Sequence, residues 1–146
     1  MITQTVCSSF VQQILEGVHD FRTAGGDIFK IALFVEAANL NATTTAYAAT
    51  NEVVAAGYTA GGAILTNISP ALSGQTGVAS FATISWTANI TARGALIYNT
   101  TPNGAYSNPA YMVLDFGMNR AHTAGVFTVQ FPAMVAATAI VRIAAG

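Results

Sequence analysis

Charged side chains are scarce: the 146 residues carry five basic and six acidic groups, 8% of the chain and a net charge of -1. An ordinary soluble domain carries roughly 25%. That shortage excludes several classes. Intrinsic disorder combines low hydrophobicity with high net charge, and this chain, 53% hydrophobic, has the opposite balance. Five cations scattered from Arg22 to Arg142 build no basic face, so no nucleic-acid partner is expected. A coiled coil lacks its charged flanking positions. The single cysteine, Cys7, makes an internal disulfide impossible, so the fold must stand on packing.

Long apolar runs are missing too. Mean hydropathy is +0.51, yet a spanning helix needs about 20 consecutive, mostly apolar residues. The longest charge-free stretch, Val53 to Ala92, is broken by Gly57, Gly61, Gly62, Asn67, Pro70, Gly74 and Gly77. It reads as strands and turns, and no membrane partner is expected. The opening Met1-Ile2-Thr3-Gln4 lacks the positive region of a secretory signal, which implies synthesis in a cytoplasm without processing.

Motifs for chemistry are also lacking. His19, His122 and Cys7 make no close ligand pairs for zinc, and no metal or other cofactor is expected. Cys7 precedes a helix, which favours its thiolate somewhat, but a small thiol packed under that helix is the commoner arrangement. No Gly-x-Ser-x-Gly occurs. Gly57-Tyr58-Thr59-Ala60-Gly61-Gly62 lacks the Lys-Ser/Thr end of a phosphate loop and reads as a turn into a strand. The expectation is a protein without enzymatic activity.

What is present is pattern. Phe10, Ile14, Val18 and Phe21 recur at helical spacing, which predicts one helix over about residues 8–22. Ser9 and Gln12 fit a capping box, and His19 and Arg22 fall in the last turn as exposed or capping groups. From about residue 27 to 146 the period is two. Ile28 to Val35 is apolar on both faces apart from Lys30, as in a central strand. Further strands are predicted at Ala63 to Asn67, Ala82 to Thr87, Arg93 to Tyr98, Tyr111 to Phe116, Val126 to Phe131 and Thr138 to Ile143. Turns at Ser73-Gly74, Pro102-Asn103-Gly104, Asn108-Pro109, Gly117, Gly125 and Pro132 separate them. Phe127, Val129, Phe131, Val141 and Ile143 would supply the inner face. The prediction is one domain over residues 1–146: a mostly β, antiparallel sandwich or barrel of jelly-roll or immunoglobulin-like kind, with one short N-terminal helix. Four Asn-x-Ser/Thr triplets, at Asn41, Asn67, Asn89 and Asn99, read as turn residues.

Asp115 lies between large apolar residues in Tyr111-Met112-Val113-Leu114-Asp115-Phe116, where a charge must be paired or face water at a strand end. Arg93, entering the preceding strand, is its natural partner in a cross-strand ion pair. The alternative is two charges solvated separately at the sheet rim. The near-chargeless run Asn39 to Thr50 is too polar for a core. It reads as an arm or loop that becomes ordered on a partner, with Asn41, Thr43, Thr44, Thr45 and Tyr47 as contact candidates. A flexible surface loop is the alternative. Tyr106 and Tyr111 flank a Pro-Gly-rich loop and are candidates for exposed contacts. With Tyr47, Tyr58 and Trp86 they would form the platforms of a carbohydrate-binding surface, although Trp86 in an alternating strand suits a core better. A surface this poor in charge keeps no free monomer apart from its neighbours, which suggests a protein covered by other subunits.

Several stretches occur together and in order: Lys30-Ile31-Ala32-Leu33-Phe34, Thr45-Ala46-Tyr47, Thr50-Asn51-Glu52-Val53, Gly57-Tyr58-Thr59-Ala60-Gly61-Gly62 and Ile84-Ser85-Trp86. They continue through Thr91-Ala92-Arg93-Gly94-Ala95-Leu96-Ile97-Tyr98-Asn99, Val113-Leu114-Asp115-Phe116-Gly117 and Phe127-Thr128-Val129-Gln130-Phe131-Pro132. This series, over residues 28 to 143, resembles a family of small virion structural proteins of tailed bacteriophages. The resemblance implies a place in the virion, assembled in the host cytoplasm, and no chemistry. It implies a homo-oligomer whose partners are itself and other virion proteins, such as major capsid or neck and tail proteins. Capsid decoration is the leading expectation. A neck or tail accessory subunit and a carbohydrate- or receptor-binding virion module are the alternatives.

Overall fold

The computed structural model describes residues 1–101 and 104–145. The described residues fold mostly as antiparallel β with a single short helix, a β-sandwich-like domain. Its elements run β1 (Thr5–Val6), α1 (Ser8–Leu15), β2 (Phe29–Phe34), β3 (Ala63–Ile64), β4 (Asn67–Ser73), β5 (Thr76–Phe81), β6 (Ile84–Thr87), β7 (Ile90–Asn99), β8 (Ala110–His122), β9 (Val126–Val129) and β10 (Val141–Ala144). Among the described residues they form a five-stranded sheet in the order β1-β8-β7-β2-β3, a three-stranded sheet β10-β5-β4 and a two-stranded ribbon β6-β9. At Pro102 and Asn103 the expected Pro102-Asn103-Gly104 turn lies outside the described residues.

β2 is the central strand that its two apolar faces predict. Phe29, Ile31, Ala32, Leu33 and Phe34 are buried, and Phe29 through Phe34 pair with Asn99 through Gly94 of β7. The layers meet through rings: Phe29 of β2 lies 5.5 Å from Phe81 of β5 and stacks at 4.6 Å on Phe21. Phe81 in turn touches Phe131. A second aromatic group, Tyr58, Trp86 and Phe127, joins the ribbon to the same apolar cluster. Phe127, Val129 and Val141 are buried as expected, Phe131 partly so, but Ile143 faces solvent.

The helix is shorter than its apolar spacing predicts. Gly17, at φ 72°, ends it two residues after Leu15. The Val18 N–H reaches the Gln13 carbonyl and the Gly17 N–H that of Ile14, closing the terminus in the pattern that a left-handed glycine allows. Val18 and Phe21 are buried, but from irregular chain, so the periodicity came from residues that reach the same core by another path. The expected capping box is absent. Cys7 occupies the N-cap, and the buried Ser9 hydroxyl finds no partner. Gln12 instead donates to Glu16 at 2.7 Å.

Strand limits shift in several places: β7 begins at Ile90 rather than Arg93, β9 ends at Val129 rather than Phe131, and β10 runs Val141–Ala144 rather than from Thr138. The expected Ala63 to Asn67 strand divides into β3 and the start of β4, and β4 then turns at Ser73-Gly74 into β5. The expected Ala82 to Thr87 strand begins two residues late, as β6 at Ile84, with Ala82-Thr83 linking it to β5. At Gly117, where a turn was expected, β8 continues to His122. Gly117, at φ 79°, lets residues 116–119 bulge opposite Arg93, because Gly94 pairs with Asp115 while Ala92 pairs with Arg120.

Candidate functional site

Arg93 and Asp115 meet across β7 and β8. Nε of Arg93 donates to Oδ1 of Asp115 at 2.8 Å and Nη2 to Oδ2 at 3.3 Å, both side chains about three-quarters covered. Oδ1 also accepts the Gly117 N–H at 2.8 Å, so the carboxylate clamps the bulge that places it. The Arg93 guanidinium, with that N–H, holds the Asp115 carboxyl below the ordinary carboxylate range. Glu36 lies 3.6 Å from Nη1 of Arg93 and accepts from Asn119 at 3.0 Å, extending the pair into a short rim network.

The 39–50 segment is ordered by its own chain, which corrects its reading as an arm awaiting a partner. Asn41 folds it into a turn: Oδ1 accepts the Thr43 N–H and hydroxyl, and the Asn41 N–H reaches the Thr44 hydroxyl. Ser8 N–H binds the Ala42 carbonyl, and the Ala110 N–H that of Thr45. Thr43 and Thr45 are exposed, while Asn41 and Thr44 are half-buried. Together with Leu40, Ala46 and Ala48 they line an open concavity of about 370 Å³.

Tyr47 stacks on Tyr98 at 4.6 Å and donates to Oε2 of Glu52 at 2.6 Å. Glu52 is the hub here, and nothing in the spacing of the chain marked it beyond a carboxylate set between two tyrosines. Its Oε1 accepts from the Tyr58 hydroxyl and the Gly61 N–H, each at 2.7 Å. Tyr58 accepts the Leu33 N–H at 2.8 Å, which ties the loop to β2. Burial first, and Glu52 after it, raise the Tyr47 and Tyr58 phenols above their ordinary range, and burial pushes Tyr98 up to about 12.

A second interior network corrects the expectation that His19 is exposed. Its ring is buried between Phe10 and Phe29. Nε2 donates to Gln13 at 2.8 Å, and Nδ1 accepts from Asn99 at 3.1 Å. Asn99 is a fully buried hub and no surface turn. It also donates to Asp27 at 2.7 Å, and its carbonyl takes the Thr101 N–H. Burial, opposed by Asp27, pushes His19 down to about 4, so the imidazole is neutral. Cys7 is buried and pushed up to about 11, which keeps it a thiol.

The aromatic platforms are mostly engaged. Tyr111 is buried, its hydroxyl donating to the Ile140 carbonyl at 2.6 Å, which corrects the expectation that it is exposed. Tyr58 and Trp86 are in the core. Tyr106 is half-buried and donates to Glu16 at 2.7 Å. His122 is exposed at the end of β8, edge-on to Phe127. Among the described residues no three His, Cys, Asp or Glu side chains gather where they hold a metal ion, and no helix is long and apolar enough to cross a membrane. No protein-family model, curated protein or solved structure matches this chain.

Proposed function

We propose that this protein is a structural component of a tailed-phage virion, a capsid decoration subunit that packs between neighbouring shell subunits. The observation that carries the reading is the surface. Thirteen large apolar side chains among the described residues are exposed, from Val11 and Leu15 on α1 to Ile68 and Leu72 on β4, while the whole chain has only 11 charged residues. Such a surface suits a subunit covered by its neighbours. The buried polar groups fit the same role. Glu52, His19 and Asn99 have their hydrogen-bonding groups engaged by the fold, which makes them anchors of a rigid body. The sequence series from Lys30 to Pro132 adds the resemblance to small virion proteins. Contacts of modest strength hold such a subunit once it touches several neighbours together.

A neck or tail accessory subunit is the second reading, supported by the same surface. A glycan-binding module is disfavoured by the burial of Tyr111, Tyr58 and Trp86 and by the stacking of Tyr47 on Tyr98. Quantitative mass spectrometry of gradient-purified particles of the phage encoding this chain tests the reading. A copy number comparable with that of the coat subunit is expected. A small fraction of that number would favour the neck or tail, and absence from the particle would end the proposal.

A further inference from the structure

Two strand edges without partners border one small cleft. Among the described residues β9 pairs only with β6, and β8, once past its contact with β1 at Met112 and Val113, pairs only with β7. The cleft between them, of about 290 Å³, is lined by Phe116, Arg120 and His122 on one side and by four consecutive residues, Phe127 to Gln130, on the other. Successive side chains of a strand point to opposite faces, so a run of four neighbours means that β9 turns its open edge to the cleft. Phe116 and Phe127, with ring centroids 6.1 Å apart, and the buried Val129 give it an apolar floor. Arg120 and His122, two residues apart on β8, share one face. The His122 ring is set edge-on to Phe127 at 5.9 Å.

Charge decides what such a cleft takes. Arg22 is paired with Asp20, Arg93 with Asp115, and Arg142 with the Ala137 carbonyl. Arg120 is the one arginine that has neither an ion pair nor a hydrogen bond among the described residues. Packing does not account for it either, because residues 117–122 of β8 are exposed on both faces. A guanidinium fork matches a carboxylate through two parallel hydrogen bonds, and an imidazole N–H supplies a further donor. An acidic side chain also brings methylenes to lay on the phenyl floor, which a phosphate does not. A single arginine makes no track for a nucleic-acid backbone. A second copy of this chain is a poor source of the carboxylate, because its own six are engaged. Asp20, Asp115 and Glu36 meet arginines, Glu16 accepts from Tyr106, Asp27 from Asn99, and Glu52 from Tyr47, Tyr58 and Gly61.

We infer that this cleft receives an extended acidic segment of a different protein, its backbone adding to the open edge of β9 and one carboxylate seated between Arg120 and His122. The inference goes beyond the virion reading and does not depend on it. Heteronuclear NMR of the purified full chain tests it, with the acetylated and amidated peptide Thr-Val-Glu-Val-Thr as the probe. Saturable amide shifts centred on residues 116–130 are expected, with a Kd of about 1 mM or tighter. Arg120→Gln, and a peptide carrying Gln in place of Glu, each weaken binding at least about 10-fold, and His122→Gln weakens it by less. Arg142→Gln leaves it unchanged, and inorganic phosphate binds at least about 10-fold more weakly than the peptide. The substituted side chains are exposed, so melting temperatures stay the same. The inference is overturned by shifts that do not saturate or that centre elsewhere, by equal binding of the Gln peptide or of phosphate, or by binding that survives Arg120→Gln. A peptide that fails to bind leaves the copy number in particles as the test of the virion reading, and a chain absent from particles leaves this binding as it is.

Discussion

Two regions treat the shortage of charge in opposite ways. Around Glu52 and His19 the few polar groups lie inside and are bonded: Glu52 accepts three hydrogen bonds, and both ring nitrogens of His19 have partners. Along α1 and β10 the polarity is inverted, with Leu15, Val11 and Ile143 facing solvent beside an apolar groove. Interior polar groups give this chain one geometry, since each is costly unless its specific partner is in place. The exterior apolar groups contribute nothing to that geometry and become useful only when something covers them. Stability therefore resides in the first region, and the proposed covering by neighbouring subunits would fall on surfaces such as the second.

Mutating the interior hub should break the comparison hardest. Glu52→Ala leaves the Tyr47 and Tyr58 hydroxyls and the Gly61 N–H without their acceptor. The expected destabilisation in urea is about 3–5 kcal/mol, which corresponds to a melting temperature lower by roughly 10–15 °C. Glu52→Gln, which keeps an acceptor oxygen, should cost less. A Glu52→Ala protein as stable as wild type would show that the network is incidental.

The second effect is acid sensitivity. Folded His19 is pushed down to about 4, while the unfolded side chain titrates near its ordinary 6.5. Between those values the unfolded state binds more protons, so this contribution is whole above about pH 6.5 and disappears as pH falls toward 4. An imidazolium would also turn Nδ1–H against the Asn99 amide that now donates to it. The expected loss over that window is about 3 kcal/mol. Denaturant titrations at pH 7, 5.5 and 4.5 should show it, and His19→Gln should flatten the slope.

The rim pair is expected to matter less. Arg93→Ala should lower the melting temperature by a few degrees at most, with the difference shrinking in high salt, because the pair is partly open to solvent. A loss as large as that of Glu52→Ala would place the bulge at Gly117 among the main determinants of the fold. Smallest of all, Leu15→Ala should change monomer stability by no more than about 0.5 kcal/mol. A larger loss would mean that Leu15 belongs to the core, and the division between the two regions would fail.

Much of the frame was legible in the chain. Period-two apolar patterning located β2, the Arg93–Asp115 pairing followed from one carboxylate set among large apolar residues, and Trp86 in an alternating strand proved to be core. The misses share a physical cause, that apolar and polar labels do not say which partner a residue meets. Val18 and Phe21 continued the helical spacing, but Gly17 made a left-handed stop cheaper than another turn. Tyr111 and His19 looked exposable until a distant carbonyl, at Ile140, and a distant amide, at Asn99, satisfied them inside. The 39–50 segment looked unattached because its tethers are backbone groups of Ser8, Asn108 and Ala110, which no side-chain pattern reveals. β4 reads as apolar as β2 in places, yet it lies at the outside of its sheet and leaves Ile68 and Leu72 in water.

The most direct test of the claim that sister or shell subunits cover this surface is co-sedimentation of the purified protein with empty heads of the phage that encodes it. Saturable pelleting with the heads, retained in high salt because the contact is apolar, is the predicted result. A protein that remains in the supernatant at every concentration, as a soluble monomer, would contradict it.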